Sequence, residues 1–111
     1  MSYTFEIVQE IDSIPGIMQF WGIAVHKFGS QMSRFYLTVS PLSVTLSVDS
    51  TEAGKKLIIY FVNMLGEPEL IHRDTETRKH LADYTARWYQ IGDGETTIRR
   101  IKNIIHGSKS L

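Results

Sequence analysis

The sequence predicts an α+β fold in which a small antiparallel sheet of three to four strands packs against three to four helices. Two observations support this prediction. Alternation of apolar and polar residues, which is typical of strands, occurs in a few short runs, whereas helical spacing with capping residues fills most of the remaining chain. Because strands and helices are segregated along the chain, a simple doubly wound sheet is excluded.

The strands are predicted from period-two patterns. Residues 3–8 alternate in this way, and so do the runs 34–40 and 42–48 on either side of Pro41. Proline has no N–H to donate to a strand ladder, so Pro41 indicates a turn, a bulge or a sheet edge between the two runs. A short extended segment at 69–72 is a candidate fourth strand.

The first predicted helix, 14–28, is the most ambiguous element. It follows Ser13, a capping residue, and repeats apolar residues at helical spacing. Its two glycines each weaken a helix by about 1 kcal/mol, and part of it also fits strand alternation. The apolar residues at helical spacing are Ile14, Met18, Trp21, Val25 and Phe28.

Three further helices are predicted, at 50–65, 75–91 and 96–106. The first begins with the capping-box pair Asp49 and Glu52, although its β-branched and aromatic residues would also suit a buried strand. The second carries an apolar stripe that ends at a glycine, and the third has isoleucines on one side and basic residues on the other. The helices should cover the sheet.

Composition limits the class of protein. The chain has 111 residues, no net charge and 42% hydrophobic residues, which predicts a single domain over 1–111. The absence of cysteine excludes disulfides, thiol catalysis and thiolate metal sites. The start lacks signal-peptide features, and no apolar run reaches the ~20 residues that cross a bilayer. We therefore expect a cytoplasmic protein without a membrane partner.

No motif for catalysis or cofactor binding is present, so we expect no cofactor; the nucleophile elbow, phosphate-binding loop and EF-hand patterns are all missing. Binding of another protein needs a complementary surface of about 800 Å² per side and leaves no short motif. The predicted function is therefore a non-enzymatic protein-binding module, most specifically a bacterial immunity or inhibitor protein that neutralises a toxin. Acidic residues of the first half are the candidate partner-binding residues: Glu6, Glu10, Asp12, Asp49 and Glu52.

Two alternatives remain open. The segment from Thr96 onward has no acidic residue, so a nucleic-acid-associated regulator would use the basic set Arg87, Arg99, Arg100 and Lys102. A metal-dependent enzyme would use His72, Glu76 and His80, since Glu76 and His80 share a face of the predicted helix 75–91. Their spacing matches no specific metal motif, and an ordinary solvated helix face also explains it.

Overall fold

A computed structural model of the protein describes residues 3–14, 16–26, 31–71, 84–90 and 92–107. In chain order its elements are β1 (Tyr3–Ile14), β2 (Ile17–His26), β3 (Met32–Val39), β4 (Ser43–Val48), α1 (Glu52–Leu65), β5 (Glu69–Ile71), β6 (Tyr84–Tyr89) and α2 (Gly94–Gly107). All strand pairs are antiparallel, in the order β1-β2-β3-β4-β6-β5. The predicted fold is therefore wrong: the sheet has six strands, and two helices, rather than three to four, accompany it in the described residues.

The segment predicted as helix 14–28 is a strand over most of its length. Burial alternates along β2, where Met18, Phe20 and Ala24 are buried, and β2 pairs with both β1 and β3. Gly16 has a φ of +82°, a left-handed conformation that favours glycine in tight turns. Ser13 was interpreted as a helix cap, but the chain turns at Gly16 and Ile14 pairs with Ile17 across that turn.

The predicted helix 75–91 is also wrong where the structure describes it, because β6 occupies 84–89. The remainder of that prediction, residues 75–83 and Ile91, lies outside the described residues. Tyr84 and Trp88 are four residues apart, a spacing that places side chains on one face of a strand as well as of a helix. The apolar spacing therefore fitted both kinds of structure.

The remaining predicted elements overlap observed ones. The run 3–8 is the first half of β1, the two runs around Pro41 correspond to β3 and β4, and 69–71 is β5. The helices predicted at 50–65 and 96–106 correspond to α1 and α2. Neither of these helices is long and apolar enough to cross a membrane.

Both helices pack against the same face of the sheet, which we call the inner face. The Phe61 ring of α1 lies 6.0 Å from Trp88 of β6, and the His106 ring of α2 lies 5.9 Å from Phe20 of β2. One hydrophobic core therefore joins the sheet to both helices. Its largest fully buried side chains are Phe5, Phe20, Phe35, Phe61, Leu37, Leu46, Leu57, Ile101, Ile105, Val39, Val44 and Val48.

Side-chain caps fix where both helices begin. The Thr51 hydroxyl accepts a hydrogen bond from the Gly54 N–H at the start of α1 (3.1 Å). At the start of α2, the Asp93 carboxylate accepts hydrogen bonds from the backbone N–H groups of Thr96 (3.3 Å) and Glu95 (3.1 Å). Together with the Thr96 hydroxyl, these donors hold the pKa of Asp93 below its ordinary value.

Candidate functional site

The opposite face of the sheet, which we call the outer face, is not packed against α1 or α2. Its side chains come from residues that alternate with the core residues and face one another across neighbouring strands. One row consists of Gln9, Trp21, Tyr36, Ser47 and Thr85, and the next consists of Ile11, Gln19, Thr38, Thr45 and Arg87. These two rows carry mostly amide and hydroxyl groups beside one aromatic pair, and two of the hydroxyls, those of Ser47 and Thr85, are buried and hydrogen-bonded to each other at 3.0 Å.

A groove of about 270 Å³ lies on the outer face where β1, β2 and β3 adjoin. We call it the aromatic groove. It is lined by Gln9, Ile11, Gln19, Phe20, Trp21, Tyr36, Leu37 and Thr38. None of these lining residues carries a carboxylate, an ammonium, a guanidinium or an imidazole group, so the groove suits an uncharged, largely apolar ligand group.

Trp21 and Tyr36 form the wall of the aromatic groove. They are directly opposite in the β2–β3 register, and their rings stack with centroids 5.8 Å apart and planes 15° apart. The indole N–H of Trp21 donates a hydrogen bond to the Gln9 side-chain oxygen at 2.9 Å. Offset stacking contributes about 0.5–1.5 kcal/mol beyond burial, and the hydrogen bond fixes the indole orientation. Both rings are therefore held in place before any ligand arrives.

A bulge in β1 places Gln9 beside Trp21. Ile7 pairs with Gly22 and packs against the core, and residues two apart normally share a face of a strand. The register shifts between Ile7 and Gln9, with Val8 as the extra residue, and the shift moves Gln9 to the outer face. The hydrogen bond that orients Trp21 depends on this bulge.

The five acidic residues predicted to bind a partner do not form one surface. Glu6 is exposed on β1 and pairs with Ile23, whereas the Glu10 carboxylate lies 2.7 Å from the His106 ring of α2. Glu52 lies in the first turn of α1, with its carboxylate 3.8 Å from the Lys55 ammonium. The side chain of Asp12 lies outside the described residues. Among the predicted acidic residues whose side chains the structure describes, Glu6 lies on the outer face, opposite Ile23, which is two residues from Trp21.

Asp49, the fifth acidic residue, links the start of β3 to the start of α1. Its carboxylate accepts hydrogen bonds from the hydroxyls of Thr51 (2.5 Å) and Ser33 (2.9 Å) and from the Arg34 N–H (3.1 Å). Burial by itself would raise the pKa of Asp49, but these hydrogen bonds outweigh burial and hold the pKa below its ordinary value. These contacts give Asp49 a structural role.

The basic set is divided between the two sides of the sheet. The Arg87 guanidinium lies on the outer face and donates a hydrogen bond to the Thr45 hydroxyl at 3.1 Å. The other members, Arg99, Arg100 and Lys102, belong to α2 on the inner side. Trp88, the neighbour of Arg87 on β6, is buried, and its indole N–H donates to the Gly66 carbonyl at 2.7 Å. Trp88 is therefore a core residue.

The metal hypothesis rests on residues 72, 76 and 80, all of which lie outside the described residues. In the parts of the chain that the structure describes, no group of three or more histidine, aspartate or glutamate residues could hold a metal ion.

The aromatic groove is not evident from the sequence. Trp21 was assigned to the apolar stripe of a helix, which concealed its pairing with Tyr36. The available signal was the strand alternation around Trp21, because a strand there places Trp21 and Gln19 on the face opposite to Phe20.

No protein-family model, curated protein or solved structure matches this chain. Function is therefore inferred from the geometry of the chain itself.

Proposed function

We propose that this protein is a non-enzymatic protein-binding module whose central contact is the aromatic groove. The observation that supports this proposal is the stacked Trp21–Tyr36 pair, which Gln9 holds in place on a sheet face that neither helix packs against. Tryptophan and tyrosine are enriched among the residues that dominate binding energy at protein interfaces. A rigid aromatic pair also loses little conformational entropy when a partner binds.

The size and chemistry of the aromatic groove favour a side chain of a partner protein as its occupant. Its volume of about 270 Å³ is close to the lower end of the ~300–1,000 Å³ that is usual for pockets that enclose small molecules, and it accommodates one side chain. Gln19 and Thr38 supply hydrogen-bonding groups at the groove, while the aromatic rings supply apolar surface. We therefore expect the partner to insert one apolar side chain from a segment whose polar groups meet these two residues.

The free edge of β1 extends this contact. Within the described residues β1 pairs with β2 on one side, and its other edge faces no strand. Gln9 and Ile11, which line the aromatic groove, belong to this edge strand. An extended segment of the partner that lies along β1 would gain main-chain hydrogen bonds while its side chain occupies the groove.

An interface of standard size covers about 800 Å² per partner, so it must extend beyond the aromatic groove. Arg87 lies in the same row as Thr38, and Arg34 lies two residues before Tyr36 on the same strand. Charged residues at the rim of an interface change the association rate and its salt dependence more than the affinity. We expect this role for Arg34, Arg87 and Glu6.

The most specific form of the proposal is neutralisation of a toxin by an immunity or inhibitor protein. Such a protein acts by covering a surface of the toxin and needs no catalytic group of its own. In this form the partner is a toxin domain, and Trp21→Ala removes the protection that the wild-type protein gives to cells that express that toxin.

Site-specific photo-crosslinking tests the proposal. A photoreactive residue is placed at Gln19 or Thr38 in the aromatic groove, and the control carries it at Asn103, an exposed position on α2. We expect the two groove positions to crosslink to one protein in the native host, and Trp21→Ala to abolish that product. Crosslinking that is equal at Asn103, or unchanged by Trp21→Ala, would contradict the proposal.

The nucleic-acid regulator is a second proposal. It is less favoured because Arg87 lies on the outer face, whereas its other three basic residues belong to α2 on the inner side. It predicts binding that weakens steeply as salt is raised and that is lost on Arg99→Ala plus Arg100→Ala. Binding through the uncharged aromatic groove should instead survive moderate salt. The metal-dependent enzyme stands third, and a metal-free preparation whose melting temperature does not respond to zinc or manganese would remove it.

A further inference from the structure

A second pocket, of about 200 Å³, lies between the first residue of β1, the last residue of β2 and one side of α1. We call it the donor pocket. It is lined by Tyr3, His26, Lys56, Ile59, Tyr60 and Asn63. It shares no residue with the aromatic groove, so it is independent of the proposed function.

The Tyr3 hydroxyl is the unusual group of the donor pocket. The residue is 3% exposed, and no hydrogen-bond partner for its hydroxyl is found among the described residues. Its ring is fixed by edge contact with His26 at 5.1 Å and by Tyr60 at 5.3 Å, so the hydroxyl cannot easily turn to water. Buried hydroxyls in proteins are nearly always hydrogen-bonded, so a ligand that reaches the Tyr3 hydroxyl would satisfy it.

The other groups of the donor pocket define the chemistry of that partner. The Lys56 ammonium makes one long hydrogen bond, 3.5 Å to the Gln31 side-chain oxygen, and keeps further N–H groups for a ligand. Asn63 supplies an amide. No aspartate or glutamate is among the lining residues.

The phenols of the donor pocket act as donors. Burial raises the pKa of Tyr3, with a contribution from its neighbour Tyr60, and burial also raises the pKa of Tyr60. Both groups therefore stay protonated at neutral pH and repel no anion. A cation and several donors without a carboxylate are the complement of an oxyanion.

We propose that the donor pocket binds a small oxyanion, a carboxylate or phosphate group, which accepts a hydrogen bond from the Tyr3 hydroxyl and pairs with the Lys56 ammonium. Ile59, which is largely exposed beside these groups, provides an apolar wall for the part of the ligand that carries the anion. The small volume limits the bound group to a few heavy atoms.

The test is a titration of the ¹⁵N-labelled full chain with sodium phosphate and, separately, with sodium acetate, followed by NMR at an ionic strength held constant with sodium chloride. We expect saturable shifts at Tyr3, Lys56 and Asn63. Tyr3→Phe removes only the hydroxyl, and Lys56→Gln removes only the charge. Each should weaken binding by about tenfold or more, as the loss of a hydrogen bond to a charged group does.

Lys55→Gln is the matched control, because Lys55 is the neighbouring lysine on α1 and does not line the donor pocket. It should leave the affinity within about twofold, as expected for an exposed charge outside the site. Saturable binding of phosphate alone assigns a phosphoryl ligand, and binding of acetate alone assigns a carboxylate.

Three results would overturn the proposal: no saturable binding of either anion, equal shifts with chloride alone, or equal weakening by Lys55→Gln and Lys56→Gln. If Tyr3→Phe does not fold, the comparison of the two lysine variants decides the question.

Discussion

Replacing Gly22 with alanine distinguishes the observed strand β2 from a helix over the same residues. In a helix interior this substitution stabilises a protein by about 1 kcal/mol, because alanine is the better helix former. In the sheet, the added Cβ would lie 2.0 Å from the Glu6 carbonyl oxygen, whereas real Cβ atoms essentially never come closer than 3.0 Å to such a neighbour. The two structures therefore predict effects of opposite sign.

The size of the effect follows from this clash. The blocking atom belongs to the backbone of β1, so relief requires the two strands to move apart and stretch their ladder rather than a side chain to rotate. We expect the free energy of unfolding to fall by about 3 kcal/mol, the upper part of the range for overpacked sites. Urea unfolding followed by circular dichroism would show this loss as a lower midpoint urea concentration, with the dependence of the unfolding free energy on urea concentration unchanged.

Gly92→Ala is the control for the chemical change itself. Gly92 has a φ of +94°, but among the described residues, its chain neighbours aside, no atom lies within 4 Å of the added Cβ. Only the backbone conformation opposes alanine there, at a cost of about 1–2 kcal/mol. If Gly22→Ala left stability unchanged or raised it, the pairing of β1 with β2 would be refuted, and with it the position of Trp21 in the aromatic groove.

Two further predictions concern Asp49 and α2. Because the folded pKa of Asp49 is lowered, its stabilisation is complete above the ordinary value of 3.8 and is lost as pH falls through the folded value. Asp49→Asn should therefore lower the free energy of unfolding by about 1–2 kcal/mol at neutral pH. Urea unfolding measured from about pH 4 to pH 2 should show that the variant loses less stability with falling pH than the wild type does. An equal loss in both proteins would contradict the assignment. Ile101→Ala should cost about 2–5 kcal/mol in thermal unfolding, because Ile101 is fully buried. His106→Gln, which breaks a partly exposed pair with Glu10, should lower the free energy of unfolding by less than about 1 kcal/mol. If His106→Gln cost more stability than Ile101→Ala, the conclusion that α2 docks through its isoleucines would be contradicted.

Local signals predicted some elements well. In β4, Val44, Leu46 and Val48 are buried, as the alternation over 42–48 predicted, but Leu42 is 79% exposed and Ser47 is buried as well. In α1, the predicted start and end are close to the observed ones, although the cap itself is Thr51 and Asp49 binds the Thr51 hydroxyl. Such signals are local, since they depend on residues a few positions apart.

The errors arose where distant contacts decide the structure. Gly22 argues weakly against a helix by its propensity, but its requirement for glycine comes from the Glu6 carbonyl of another strand. The candidate site depended on the same kind of information. Tyr36 was correctly placed in a strand, yet its pairing with Trp21 needs the register of β2, and the position of Gln9 needs the bulge at Val8. None of these relations can be obtained from spacing along one segment.

Burial of Trp21 by the partner is the most direct test of the central claim. The chain has two tryptophans, so Trp88→Phe leaves Trp21 as the single indole reporter. A partner identified by crosslinking is added to this variant, and Trp21 emission and its quenching by acrylamide are followed. Binding through the aromatic groove predicts a shift of emission to shorter wavelength and weaker quenching at saturation. A complex that forms fully while both signals stay unchanged would contradict the claim.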